Sequence, residues 1–104
     1  MKGERISDTI NGPNQIIFRV HALRQMFSRQ ISDETVQEVL RIGVVIEEYP
    51  DDTPYPSYLI SAKIGDRPFH VVVAYNKEGG VVIVITAYEP DPNLWEDTYT
   101  RRKP

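Results

Sequence analysis

The spacing of hydrophobic residues predicts an amphipathic helix in the first third of the chain. From Ile16 onward, Val20, Leu23, Met26 and Phe27 recur every three or four residues, which is the period of a helix face. The polar positions of the same stretch fall on another face and are His21, Arg24, Gln25, Ser28 and Arg29. We therefore expect a first helix here, with one apolar and one polar side.

End signals mark a second helix directly after the first. Ser32 is a natural N-cap, and Asp33 and Glu34 would place negative charge near the positive end of the helix dipole. Gly43 stands where a residue just beyond a helix C-terminus is expected. The predicted helix spans about 33–42, and its expected buried residues are Val36, Val39 and Leu40.

After Gly43 the hydrophobic spacing drops to two and β-branched residues become frequent, which is typical of strands. Four strands are predicted: Val44–Tyr49, Tyr58–Ile64, Phe69–Tyr75 and Val81–Tyr88. Their connections are short and contain turn-forming residues, so neighbouring strands should be antiparallel. The expected fold is α+β, with two N-terminal helices packed on one face of a four-stranded antiparallel meander sheet.

Length and composition favour one small domain. The 104 residues suffice for one core, which we place in residues 16–104, and the polar residues 1–15 should form a flexible arm. The absence of cysteine excludes disulfides, thiolate metal sites and cysteine nucleophiles. No apolar run is long enough for a membrane span and no signal sequence is visible, so we expect a cytoplasmic protein without a membrane partner. A net charge of −3 argues against a strongly basic nucleic-acid coat.

Strand register predicts a polar patch on the sheet face away from the helices. Symmetrical turns would align Lys63, His70 and Thr86 in one row, with Tyr88 nearby. Such groups suit an anionic ligand, and His70 could move a proton near neutral pH, so phosphodiester chemistry is one hypothesis. The alternative is that His70 is an ordinary packing residue. Alternation assigns these residues of the last strand to the core face: Val81, Ile83, Ile85 and Ala87.

Basic residues outside the sheet could contact phosphates. Arg101, Arg102 and Lys103 form a cluster near the C-terminus, and Arg24 and Arg29 lie on the first helix. A solvated tail is the alternative interpretation of the terminal cluster.

The two histidines raise the question of a metal site. His21 and His70 could in principle share an ion, but no third ligand lies at a recognisable spacing. We therefore predict neither a metal nor another cofactor.

Four ordered blocks of sequence carry a resemblance to a known family. The blocks are HALRQMFSRQIS, RPFHVVVAY, VIVITAYEPDPNLW and RRK, and together they cover about 20–103. They resemble the bacterial family called domain of unknown function 4258, which is similar to a branch of the RelE/ParE-type toxin superfamily. The resemblance implies a fold of two helices leading into an antiparallel sheet. It also implies a metal-independent endoribonuclease of a bacterial toxin-antitoxin system.

The same resemblance implies roles for individual residues in cleavage of RNA by its own 2′-hydroxyl. His70 would be the general acid or base. Lys63 and Arg102 would stabilise the phosphorane, and Tyr88 would orient the scissile phosphate. The implied binding residues are Thr86, Arg101, Lys103, His21, Arg24 and Arg29.

The implied partners are RNA or the ribosome and a cognate antitoxin protein, and no DNA partner is predicted. A different class of function stays open beside this one. The chain could be a non-catalytic RelE-like interaction domain, either an inactive toxin homologue or a module that binds a protein.

Overall fold

The computed structural model describes residues 6–104, and in this range it contains three helices and five strands in the order α1-β1-α2-α3-β2-β3-β4-β5. The helices are α1 (Ile6–Asn11), α2 (Val20–Ser28) and α3 (Asp33–Ile42). The strands are β1 (Gln15–Phe18), β2 (Val44–Tyr49), β3 (Ser57–Ile64), β4 (Arg67–Asn76) and β5 (Val81–Tyr88). The four strands expected from the sequence are therefore β2 to β5, with bounds shifted by at most two residues.

The strands form one mixed sheet in the order β1-β5-β4-β3-β2. Neighbours among β2 to β5 are antiparallel, whereas β1 lies parallel to β5 and pairs with Val81–Val84. The fold is α+β, but the prediction of a four-stranded antiparallel meander with two N-terminal helices was wrong. β1 was not predicted because four residues are too few to show a hydrophobic period, and because its partner strand, β5, is far away in the sequence.

The segment before β1 packs against the rest of the fold. Ile10 of α1 is buried, and the Asn11 side chain donates to the Leu40 carbonyl at 2.6 Å. The Ser7 hydroxyl accepts a hydrogen bond from the Val45 backbone at 2.8 Å. Residues 6–15 of the expected arm thus contain α1 and the start of β1, and residues 1–5 lie outside the described residues.

The predicted bounds and buried face of α3 are confirmed. The Ser32 hydroxyl accepts from the Thr35 backbone N–H at 3.1 Å, which caps the helix start. Gly43 follows the last turn because the chain passes very close to its neighbours there. A Cβ at this position would lie 2.5 Å from the Val39 carbonyl oxygen and 2.6 Å from Ile60. Gly43 has a φ of −74°, so close approach rather than a left-handed conformation requires the glycine.

The core lies between the helices and one face of the sheet. In β5 its members are Val82, Val84 and Ala87, and not Val81, Ile83 and Ile85 as simple alternation predicts. The register of β4 against β5 shifts after Val72, and this bulge reverses which side chains face the core along part of β5. Of the four residues of β5 that alternation assigned to the core, only Ala87, which lies beyond the bulge, is in the core.

The chain after β5 crosses the other face of the sheet without forming a further helix or long strand. Its backbone closes on itself, since Trp95 bridges to Arg102 and the Lys103 N–H donates to the Leu94 carbonyl at 2.9 Å. We call residues 89–104 the tail and the sheet face that it covers the tail face. Among residues 6–104, no helix is long and apolar enough to cross a membrane.

Candidate functional site

His70 lies on the tail face and is completely covered. Its neighbours in β4, Phe69 and Val71, belong to the core on the helix side, so alternation turns the imidazole to the tail. The ring is 0% exposed. Trp95 contacts it edge-on with ring centroids 4.4 Å apart, and Tyr88 does so at 5.5 Å.

One hydrogen bond fixes which ring nitrogen of this imidazole carries a proton. His70 Nε2 donates to the Tyr99 carbonyl oxygen at 2.6 Å, and Nδ1 is buried without a hydrogen-bond partner among residues 6–104. Tyr99 has a φ of 59°, a left-handed conformation that is rare for a bulky residue and that accompanies this contact. Burial lowers the pKa of His70 below its ordinary value of 6.5, although the Tyr99 carbonyl and Glu47 oppose the shift. A lowered pKa favours the neutral imidazole at neutral pH, and the covered ring packs against Trp95 and Tyr88.

The predicted row of Lys63, His70 and Thr86 does not form. His70 stands opposite Ser61 in β3 and Tyr88 in β5, while Lys63 stands opposite Pro68. Lys63 is displaced because the β3–β4 turn uses only residues 65 and 66, so the register moves by two residues from the symmetrical four-residue turn. Thr86 pairs with Val72 because β5 begins opposite Asn76 and its register against β4 shifts again after Val72. A shift of two preserves the face, and this is why His70 still points away from the helices.

Arg102 is held in place, and the tail is not a free basic end. Its guanidinium bonds the Glu47 carboxylate at 2.9 Å and stacks 4.6 Å from the centre of the Trp95 ring. The pKa of Glu47 is lowered chiefly by this bond. Among residues 6–104, Arg101 forms one ion pair, with Glu96 at 3.9 Å, and Lys103 is exposed. The tail cations are thus spread over different surroundings and do not form one patch.

A second group of polar side chains connects α2 to β5, and we call it the α2–β5 cluster: His21, Gln25, Arg29 and Thr86. Arg29 donates to the Thr86 hydroxyl at 3.2 Å and to the Ala87 carbonyl at 2.8 Å. The Thr86 hydroxyl donates to Gln25 Oε1, and Gln25 Nε2 lies 2.9 Å from His21 Nε2. Because an amide nitrogen only donates, His21 Nε2 is the acceptor at the end of this chain.

Helix geometry and the short β1 explain why the cluster forms here. His21, Gln25 and Arg29 follow one another at intervals of four, so their side chains lie along one side of α2. β1 pairs with β5 only as far as Val84, so the later part of β5 lacks a neighbouring strand on that side. Arg29 binds the Ala87 carbonyl in this stretch. The helix side chains therefore reach Thr86 past the end of β1.

Tyr88 extends the cluster toward the tail. Its ring is half-buried, and burial raises the pKa of its phenol. Arg102 and Arg29 act to lower that pKa, and Glu47 acts to raise it further. His21 and Arg29 are exposed, whereas His70 is not. The accessible functional groups therefore lie on α2 and the end of β5.

Sequence patterns found this cluster only in part. His21, Arg29 and Thr86 were candidates for binding, but Gln25, which joins them, was not. The available signal was the four-residue spacing on the polar face of the helix. Arg24 is exposed and makes no contact with the cluster among the described side chains. Within residues 6–104, no three histidine, cysteine or carboxylate side chains lie together as a metal site would require.

Comparison with known proteins shows the family to which this chain belongs. Residues 18–89 match the family described as a domain of unknown function (DUF4258). The chain belongs to this family. The DUF4258 segment contains α2 and β5, and therefore the whole α2–β5 cluster, together with His70 and Tyr88. Trp95, Tyr99 and Arg102 lie beyond it. No curated protein and no solved structure matched the chain.

Proposed function

We propose that this protein is a RelE/ParE-like, metal-independent endoribonuclease of a bacterial toxin-antitoxin system, and that the α2–β5 cluster carries its chemistry. The sequence resemblance to that superfamily is one support. The order of elements is another, since α2 and α3 lead into the antiparallel strands β2 to β5. The cluster also lies wholly within the DUF4258 segment, whereas Arg102 of the tail does not.

The observation that carries the proposal is the hydrogen-bonded chain from Arg29 through Thr86 and Gln25 to His21. It presents an exposed imidazole whose Nε2 lone pair accepts a hydrogen bond, and an exposed guanidinium eight residues further along the chain. A 2′-hydroxyl of RNA that replaces the Gln25 amide at Nε2 would give its proton to His21 as it attacks the adjacent phosphate. The P–O5′ bond then breaks to leave a 2′,3′-cyclic phosphate, and the departing 5′-oxygen takes a proton from water.

Arg29 and Tyr88 supply the other half of this chemistry. The bond to the Ala87 carbonyl fixes the Arg29 guanidinium, so it can stabilise the extra negative charge of the phosphorane without reorganising. The phenol of Tyr88, whose pKa burial raises above 10, is protonated at neutral pH, which suits it to donate a hydrogen bond to a phosphate oxygen. His70 takes no part in this scheme because it is covered.

The test is cleavage of a 5′-labelled single-stranded RNA, alone and on ribosomes, by the purified chain. We expect cleavage by the wild type and a loss of about 10²-fold to 10³-fold in Arg29→Ala, which removes the charge that faces the phosphorane. Arg41→Ala is the matched control, because Arg41 lies on α3 in a surface ion pair with Glu38. If the wild type cleaves no RNA, or if both variants lose activity equally, the proposal is wrong.

A non-catalytic interaction domain is the second candidate function. It is favoured by the exposed apolar residues of α2, above all Phe27, whose side chain is 88% exposed. Induced expression in a bacterial host separates the two candidates. Growth arrest that Arg29→Ala relieves supports the ribonuclease, and unimpaired growth supports the interaction domain.

A further inference from the structure

The outer side of α2 carries hydrophobic residues that nothing in the described fold covers. Val20 is 64% exposed, Leu23 44% and Phe27 88%, although helix residues on the inner side, Ala22 and Met26, are buried. Their spacing of three and then four residues matches successive a and d positions of a heptad. The three side chains therefore form one short stripe, which we call the apolar stripe.

The residues that flank the apolar stripe are cationic. Arg19 is the extended residue directly before α2, next to Val20, and Arg24 takes the e position after Leu23; both are exposed. The segment from Gln15 to Ile31 contains no aspartate or glutamate. Within residues 6–104 the ion pairs of arginine involve Arg41, Arg67, Arg101 and Arg102, so the stripe's flanking charges are not compensated within the described fold.

We propose that the apolar stripe, with Arg19 and Arg24, is a docking surface for an acidic amphipathic helix of another protein. Apolar a and d residues of the partner would pack against Val20, Leu23 and Phe27. Glutamates at its e and g positions would face Arg19 and Arg24, because flanking charges of this kind select the partner of a paired helix.

The positive charge beside the apolar stripe favours an acidic partner helix over a second copy of this chain. Two copies of α2 packed along their stripes would bring Arg19 and Arg24 of one copy toward the same residues of the other. Like charges in these positions disfavour pairing, and no acidic side chain of α2 offsets them. This surface does not depend on the proposed ribonuclease activity, because it lies on a different side of α2 from Gln25, which joins the α2–β5 cluster.

The test measures binding of two designed helical peptides to the full chain by fluorescence anisotropy. Both peptides have leucine at a and d, and they differ only in having glutamate or lysine at e and g. We expect the glutamate peptide to bind at least tenfold more tightly, with an affinity that falls as salt rises. The double variant Arg19→Glu with Arg24→Glu should reverse this preference, and reversal cannot result from unfolding.

Single variants distinguish binding at the apolar stripe from nonspecific hydrophobic binding elsewhere on the surface. Phe27→Ser should weaken binding of the glutamate peptide at least tenfold, whereas Leu94→Ser should leave it unchanged, because Leu94 is also exposed (57%) but lies in the tail. The proposal is overturned if both peptides bind alike, if neither binds, or if Leu94→Ser weakens binding as much. It is also overturned if Phe27→Ser instead abolishes a dimer of the chain or the binding of a uridine-rich RNA.

Discussion

Burial decides what His70 can do. The sequence places it on a strand face away from the helices, and the structure agrees, but no pattern indicates that the tail covers that face. The cover consists of Trp95 and the Tyr99 carbonyl, which belong to an irregular segment without hydrophobic periodicity. A residue's face can be predicted from alternation, whereas its exposure depends on distant segments.

Removal of the His70 side chain should destabilise the fold. His70→Ala leaves a cavity beneath Trp95 and removes the bond to Tyr99, so we expect a loss of about 2–3 kcal/mol in the free energy of unfolding. For a domain of this size that lowers Tm by about 10 °C or more. Thermal unfolding followed by circular dichroism measures it. His21→Ala is the control and should cost within about 0.5 kcal/mol, since His21 is exposed; equal Tm values for the two variants would contradict the burial of His70.

The pH dependence of stability should report the same burial. Because the folded pKa of His70 lies below 6.5, the unfolded chain binds a proton there more readily than the folded chain does. Stability should therefore fall as pH drops through about 6.5 toward the folded pKa. Urea unfolding at pH 7.5 and 5.5 should show this loss in the wild type and a smaller one in His70→Gln. The lowered pKa of Glu47 adds a separate loss only below 4.5. An identical pH dependence in both proteins would argue against a buried, neutral imidazole.

At the scale of elements, local signals were sufficient where one segment determines its own structure. α3 was predicted to the residue because its cap, dipole and apolar spacing agree. The bulge in β5 and the parallel pairing of β1 arise from contacts between remote segments, so alternation assigned Val81, Ile83 and Ile85 to the wrong face. The candidate site shows the same division, since His21, Arg29 and Thr86 were recognised singly and only the fold joins them.

The tail should behave as a structural element and not as a flexible end. Trp95 is 4% exposed and packs between His70 and Arg102. Trp95→Ala should cost about 3 kcal/mol or more, and it should move the pKa of His70 back toward 6.5 because water reaches the ring. Thermal unfolding and an NMR titration of the imidazole measure the two effects. Leu94→Ala, at an exposed neighbouring position, should change neither, and a Trp95→Ala protein with unaltered Tm and His70 titration would show that the tail does not cover the sheet.

At the scale of the whole molecule, the net charge of −3 conceals an uneven distribution. The charged residues of the segment from Gln15 to Ile31, which contains α2, are all arginines. In contrast, β2 and the loop after it carry four acidic residues, namely Glu47, Glu48, Asp51 and Asp52. Of this group, Glu47 binds Arg102 of the tail. An anionic substrate would therefore meet favourable charge at α2 and repulsion at the opposite edge of the sheet. The α2–β5 cluster lies on the favourable side.

We propose that His21 of the α2–β5 cluster, and not His70, accepts the proton of the 2′-hydroxyl during RNA cleavage. The most direct measurement compares the cleavage rate constants of His21→Asn and His70→Gln on one single-stranded RNA, at a temperature where both variants are folded. We expect His21→Asn to be slower than the wild type by about 10² to 10⁴, and His70→Gln to stay within a few-fold of it. A His70→Gln protein that is folded but inactive, beside a fully active His21→Asn protein, would contradict the account.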